Sequence, residues 1–260
     1  MKKWANIGDK LLPAIAGALF LLLWESIGFF DLLPAYLLPP PSRIVQALVR
    51  DASLLFQHGS VTLMEAVAGF FIAIVTGSCL AMWLDHSPLV RRILYPYLIT
   101  SQTVPIVTLA PLFAMWFGFG YLPKILIVVL VCFFPITISL LNGLASVDQE
   151  LIDLMRSMGA SSWQRYQWVK IPAALPSFFA GLKISGTYSI MGAVIGEWVG
   201  GRMGLGVYML RVRQSFATDR VFAVIVVIVL LSILLLKLIQ WAERKATPWL
   251  VHPGDQEAGE

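Results

Sequence analysis

Charge is what this sequence has least of. Lysine, arginine, aspartate and glutamate make up 13% of its 260 residues, against about 25% in soluble domains. A water-facing surface normally needs about 25–35% charge, so a soluble globular protein is excluded. Cysteine is scarce too. Cys79 and Cys132 each lie inside an apolar run and read as small core residues, not as a disulfide or metal pair. The three histidines, His58, His86 and His252, lie far apart and read as loop or tail residues. No Cys or His cluster has ligand spacing, so no metal ligand is expected. No convergent set of acid, base and nucleophile appears, so no catalytic residue is named. Low-complexity tracts, heptads and short repeats are also lacking.

What is abundant is hydrocarbon: 58% of residues are hydrophobic and mean hydropathy is +0.79. The apolar runs are long and unbroken, unlike the alternation in segments of about ten residues that marks a membrane β-barrel. The expected fold is all-α, a polytopic transmembrane bundle forming one domain over residues 1–260. A helix crosses the hydrocarbon core with about 20 apolar residues. Six candidates satisfy this, roughly 11–30, 61–84, 93–117, 122–143, 178–199 and 221–242. The last, "VFAVIVVIVLLSILLLKLIQW", holds one charge, Lys237, placed where it can snorkel. "MKKWANIGDK" could mimic a signal peptide, but no small-residue cleavage site follows, so a retained first span is expected. "LLPPPSR" reads as an extended connector, and the terminal "PGDQEAGE" as disordered.

The third candidate is irregular. "YPYLITSQTVPIVTLAPLFAMWFGFG" holds Pro96, Pro105 and Pro111. An interior proline removes a backbone hydrogen bond and clashes with the preceding turn. Such breaks survive at membrane depth where protein or a water-filled cavity satisfies the backbone. A simple packing kink is the alternative.

Six spans put both termini on one side. Placing them in the cytoplasm collects 12 of the 19 lysines and arginines inside and leaves 7 outside, in the sense of the positive-inside rule. That bias accounts for the net charge of +4 with no appeal to nucleic acid. The exception is the outer segment "GGRMGLGVYMLRVRQSFATDR", with Arg202, Arg211, Arg213 and Arg220. It reads as a docking surface for an acidic partner or as a loop lying on lipid headgroups.

Polar residues inside spans face the interior or glue helices together. Gln102, Thr103, Thr108, Ser185, Thr187, Ser189 and Glu197 are of this kind. Gln102 and Thr103 beside Pro105, with Thr108 and Thr187, are candidates for lining a pathway. Glu197 is expected to pair with an outer-loop arginine or to line an outer gate. Gly192, Gly196 and Gly200, four apart, suggest close helix approach at a dimer axis.

One stretch, "LIDLMRSMGASSWQRYQWVKIPAALP", is not a span. Leu151, Leu154, Met155 and Met158 fall at i, i+3, i+4 and i+7, a single helical stripe. Ser146 with Gln149 fits a capping box at its start, and Ser161 with Gln164 fits a second. Gly159 ends the first short helix as a left-handed cap. Trp163, Tyr166 and Trp168 mark a second helix that Pro172 should stop, and Pro176 suits the first turn of the next span. The insert, residues 146–176, is either an interfacial helix on lipid or a docking surface for a cytoplasmic partner.

The spacing of this insert resembles the EAA motif of ABC importer permeases. That pattern reads EAA, three residues, G, nine residues, I-x-L-P. Here it is Asp153-Leu154-Met155, three residues, Gly159, nine residues, Val169-Lys170-Ile171-Pro172. Leu154 and Met155 are larger than the alanines of the pattern. "APLFAMWFGFG", "RSMGAS", "PAALP" and "GAVIGEWVGG" are similar to permeases for nitrate, taurine, alkanesulfonates and thiamine precursors. "DLMRSMGAS", "MGAVIGEWVGG" and "SFATDRVFAVI" are most similar to hydroxymethylpyrimidine permeases.

The resemblance implies a transport subunit, not an enzyme, in a bacterial inner membrane. It implies a homodimer of this chain, two ATPase subunits inside and a substrate-binding protein outside. Asp153, Leu154, Met155, Gly159, Ala160, Ser161, Trp163, Val169, Ile171 and Pro172 would form the ATPase-coupling element. Arg202, Arg211 and Arg213 would meet the binding protein. The chain has no Gly-Lys pair, hence no phosphate-binding loop; no cofactor is expected on it, and ATP with Mg would sit on the partner ATPase. The implied solute is a thiamine-pyrimidine precursor, with alkanesulfonate, taurine, nitrate or a riboflavin-like solute as alternatives. A secondary transporter is the rival class. It would need midplane carboxylates and an internal repeat, whereas Glu65 and Glu197 fall near span ends.

Overall fold

Long apolar segments can satisfy their backbone in hydrocarbon only by forming helices, and helices are what this chain forms. The computed structural model describes residues 2–250, with side chains from Leu12 on. The tail "PGDQEAGE" lies outside the described residues. Among those described there is no strand.

The chain begins with α1 (Lys2–Phe29), then α2 (Pro41–Arg50) and α3 (Ala52–His86). Pro40, before α2, has φ −65° and ψ 150°, the polyproline II geometry. Helix α3 has 35 residues, about 52 Å at 1.5 Å per residue, and starts well before position 61. It therefore carries His58 as a buried helical residue and His86 in its last turn; neither is a loop residue. Cys132 is buried, but Cys79 is exposed on α3, so only one of the two cysteines is a core residue.

Next come α4 (Pro88–Ser101) and α5 (Ile106–Phe117). The expected third span is two helices bent by 97°, not one. Pro105 is the residue before α5, while Pro96 and Pro111 sit within α4 and α5. Helix α6 (Tyr121–Ala145) precedes α7 (Gln149–Ser157) and the short α8 (Ser162–Arg165). A π turn over Tyr166–Lys170 runs directly into α9 (Ile171–Trp198), followed by α10 (Leu205–Gln214) and α11 (Thr218–Ala246). Among the described residues five helices are long and apolar enough to cross a membrane, and the bent pair would make a sixth.

Helix α6 lies between α3 and α9 at the centre. Ala66, Phe70, Val128, Cys132, Ile136, Phe179, Ile190 and Ala193 form the main apolar core, closed by Leu235 and Ile239 of α11. The helices approach closely because glycines face neighbours. Gly192 faces Val128 and Val131 of α6, and Gly196 lies against Lys124. The four-residue glycine repeat thus packs on α6 within one chain and not at a dimer axis; its third member, Gly200, meets the Phe119 ring. By contrast, no residue of α1 between Leu12 and Phe29 is buried.

A side chain at Gly181 would place its Cβ 2.7 Å from Ser139 Cβ and 2.8 Å from the Pro135 carbonyl oxygen. Overpacking of this kind costs about 1–3 kcal/mol. Gly181→Leu is expected to lower the melting temperature of the purified permease, measured by thermal unfolding in detergent.

Candidate functional site

The insert joins α6 to α9 through α7, α8 and the π turn. Helix α7 begins at Asp148, whose carboxylate accepts the Glu150 amide at 2.9 Å. Ser146 is instead the residue that ends α6, so the first expected capping box does not form; α6 runs on through Ala145 and Ser146 bonds back to Gly143. The second box does form. Ser161 Oγ accepts the Gln164 amide at 3.3 Å and Gln164 Oε1 accepts the Ser161 amide at 2.7 Å.

Between them Gly159 has φ +82°, a left-handed conformation that costs a side-chain-bearing residue about 1–2 kcal/mol. Arg165 braces the turn by donating to the Ala160 carbonyl at 2.6 Å. Pro172 does not stop the second helix. The π turn just before it widens the hydrogen-bond ring, so the missing proline amide falls in the opening turn of α9. Because α9 starts at Ile171, Pro176 lies within it and not in a first turn.

The apolar stripe of the insert faces away from the bundle. Ile152 is the buried side chain of α7. Leu154 is 57% exposed, Met158 75%, Trp163 69% and Trp168 72%. Met155 is half-buried, Val169 and Ile171 likewise, and Asp153 is exposed with Arg156 3.8 Å away. Lys170 ties this element to α3, with Nζ 3.0 and 2.8 Å from the two carboxylate oxygens of Asp85. Lys183 does the same from α9 to Glu243 of α11, at 3.0 Å.

At the broken span, local hydroxyls satisfy the freed backbone. Thr100 bonds to the Pro96 carbonyl, Ser101 to Leu98, Thr103 to Thr100 and Thr108 to Pro105, all within 3.0 Å. A cavity of about 220 Å³ opens beside the break. Gln102 and Ser101 line it, with Phe134 and Pro135 of α6 and Tyr188 and Met191 of α9. Of the expected pathway residues only Gln102 reaches this cavity. Thr103, Thr108 and Thr187 turn their hydroxyls to backbone carbonyls three or four residues back, and Pro105 sets the bend. Tyr188 lies between Thr187 and Ser189 and was not singled out from them; exposed positions 184, 188 and 191 on α9 follow the helical spacing that would have marked it.

The far end of the bundle gathers residues that sequence separation hid. Lys124 Nζ donates to Glu65 Oε1 at 2.7 Å, and their side chains are 6% and 0% exposed. Glu197, 1% exposed, makes no ion pair with an arginine among the described residues. It accepts the Thr62 hydroxyl and the Gly206 amide, both at 2.6 Å. These are ionisable groups inside spans, where each needs a partner.

The middle of the arginine segment is helix α10, with Val207, Tyr208 and Val212 buried. Arg202, Arg211 and Arg213 are exposed; Arg211 donates to the Arg202 carbonyl at 2.9 Å. Arg220 is not available, being 3.1 Å from Asp51. Burial, and then the Asp51 carboxylate it donates to at 3.0 Å, push the Tyr208 phenol above its ordinary range.

A helical bundle with a broken span, a cavity beside the break and an outward-facing amphipathic insert is the build of a multi-span transport permease. The chain belongs to the family of binding-protein-dependent transport system inner membrane components, matched over residues 69–248. It is 36% identical over 242 residues to the formylaminopyrimidine transport permease protein ThiX of Halalkalibacterium halodurans, covering 93% of this chain and 96% of that one. It is 35% identical over 251 residues to the riboflavin transport system permease protein RibX of Chloroflexus aurantiacus, covering 95% and 91%. The taurine permease TauC of Escherichia coli is 32% identical over 239 residues, 89% and 87% of the chains. The MetNI methionine ABC transporter, solved in inward-facing conformations, shares the fold with a TM-score of 0.61 at 22% identity, over 77% of this chain and 98% of that one. The protein is a permease subunit of an ABC importer, a class that works with an ATPase and a substrate-binding protein. That membership displaces the secondary-transporter reading.

Asp85 has a 6% exposed side chain and Lys170 a 26% exposed one. Removing the cation strands the carboxylate, at a cost of about 2–3 kcal/mol, less than for a fully buried pair. Lys170→Met is expected to lower thermal stability, and Asp85→Asn with Lys170→Met to recover most of it, in a double-mutant cycle on the purified protein.

Proposed function

We propose that this permease passes a thiamine-pyrimidine precursor, delivered by a binding protein, through a homodimer of this chain in a bacterial inner membrane. Two relatives at 35–36% identity are named for heteroaromatic solutes. The observation that carries the choice is the cavity at the broken span: none of its eleven lining residues is charged. A sulfonate or nitrate would shed its water there with no cation to receive it, which is costly. Gln102 and Tyr188 offer amide and hydroxyl groups to ring nitrogens, and Phe134 offers an aromatic face. About 220 Å³ is below the roughly 300–1,000 Å³ of pockets for drug-sized ligands, which suits one substituted ring better than the fused rings of a riboflavin-like solute.

The insert supplies the drive. Two ATPase subunits, holding ATP and Mg, seat on the exposed face of α7 and α8, with Leu154, Met158 and Trp163 as apolar anchors and Asp153 on the rim. Gly159, Ala160 and Ser161 fix the angle between the two short helices. Val169, Ile171 and Pro172 lie where the insert joins α9. Both termini are cytoplasmic in this arrangement, and α10 with Arg202, Arg211 and Arg213 faces the binding protein. Closure of the ATPase dimer moves the insert, the bundles rock, and the cavity changes its side of access.

A Cβ at Gly159 would meet no atom within 4 Å, so the cost of Gly159→Leu starts from the φ of +82° and the inter-helix angle. The variant is expected to insert normally and to lose ATP-driven uptake; full uptake would remove the coupling role. Proteoliposomes holding the whole importer and its binding protein should take up a labelled aminopyrimidine, with no competition from taurine. Gln102→Leu should cut that uptake several-fold while binding-protein-stimulated ATP hydrolysis stays near wild type. Uptake of taurine in place of the pyrimidine would overturn the solute.

A further inference from the structure

Glu65, Lys124 and Glu197 meet at the end of the bundle remote from the insert, and none is more than 5% exposed. One ammonium group faces two carboxyl groups. Lys124 Nζ is used by Glu65 Oε1 at 2.7 Å and by the Met203 carbonyl at 3.4 Å. Glu197 is drawn to the same face of α3 as Glu65 by Thr62, one turn before it; its two oxygens take the Thr62 hydroxyl and the Gly206 amide. Among the described residues Glu65 Oε2 has no donor.

The other ionisable groups around the site do not fill that place. His58 of α3 accepts the Gly204 amide on Nδ1 at 3.0 Å, which leaves it neutral with its proton on Nε2. Tyr208 of α10 stacks on His58 at 5.3 Å and gives its hydroxyl to Asp51. Tyr121 of α6 lies under Lys124 at 5.6 Å. Arg211 spends a donor on the Arg202 carbonyl and has no bond to either carboxyl. With both acids ionised, the site would bury an unmatched negative charge, which proteins avoid by keeping a proton on one of two adjacent carboxylates.

We propose that Glu65 and Glu197 share one bound proton, which fills Glu65 Oε2, and that this proton latches the 199–206 turn to the bundle. The turn hangs on this cluster. The Gly204 amide goes to His58, the Leu205 amide to Thr62 at 2.8 Å, and the Gly206 amide to Glu197. Gly204 has φ +128°, and a Cβ there would collide with the Glu197 carboxyl, so turn and acid are packed without slack. Removing the proton sets two like charges in contact. Glu197 must then withdraw from α3, and Gly206 goes with it, freeing the start of α10. The latch is independent of which solute is carried. It makes the α10 surface sensitive to alkaline conditions on its own side of the membrane.

Infrared spectroscopy of the full chain in nanodiscs tests this directly. The carbonyl band of a protonated carboxylic acid should be present at neutral pH and disappear on alkaline titration. Glutamine mimics the protonated acid, so Glu65→Gln and Glu197→Gln should each fold and each lack the band. In wild type, the melting temperature should fall as the band is lost; neither variant should show that fall. No band in wild type overturns the proposal, as does a band that survives in both variants. An alkaline loss of stability equal in all three proteins overturns it too. If either variant fails to fold, the wild-type band and its coincidence with the stability loss still decide the matter.

Discussion

In hydrocarbon an unpaired backbone amide or carbonyl costs several kcal/mol, with no water to offset it. That constraint shapes every element of this permease. It makes the apolar runs helical, and it allows a break only where other groups replace the lost bonds. Prolines alone do not decide where the break falls. Pro13, Pro96, Pro111, Pro135 and Pro176 all sit inside helices. Within the bent third span the chain breaks over 102–105, where Ser101 and Thr103 hydroxyls bond the Leu98 and Thr100 carbonyls of the last α4 turn. The break then opens the cavity that carries the proposed pathway. At the other proline pair the same demand is met differently: a π turn ahead of Pro172 keeps the helix unbroken.

Polar pairs tie the helices together at both ends. Asp85–Lys170 and Lys183–Glu243 join α3, the insert, α9 and α11 at one end. Glu65–Lys124, with Glu197 and Thr62, joins α3, α6, α9 and α10 at the other. Between them the packing is largely apolar and glycine-mediated, with Ser185 of α9 donating to the Cys132 carbonyl of α6 at 3.0 Å. Exposed pairs of this kind would contribute little. Here each pair has at least one side chain well inside the fold, so its geometry is held.

The sequence reading reached the insert well because its information is local. Gly159, the Ser161–Gln164 box and the stripe through Leu154 and Met158 all depend on residues within a few turns. Which face of that stripe pointed outward was not legible, since burial of Ile152 depends on the bundle beneath it. Glu197 was misjudged for a related reason. Its partners Thr62 and Gly206 sit 135 and 9 residues away, and no spacing rule links a glutamate to a distant threonine. The glycine repeat signalled close approach correctly, yet spacing cannot say whether the neighbour belongs to the same chain. Capping at Ser146 failed because α6 ran one turn further and claimed that residue as its end.

The unbroken helix from Ser162 to Trp198 covers 37 residues, about 55 Å at 1.5 Å per residue. One end carries the exposed tryptophans of the insert, and the other carries Glu197. The element that would meet the ATPase and the element that holds the opposite face are thus a single lever. A push at the insert needs no relay through loops to be felt at α10. Its most compliant point is the π turn beside Lys170, and the Asp85 pair braces it there. Stiffness at one ion pair would therefore set how much of a stroke at the insert arrives at the far end.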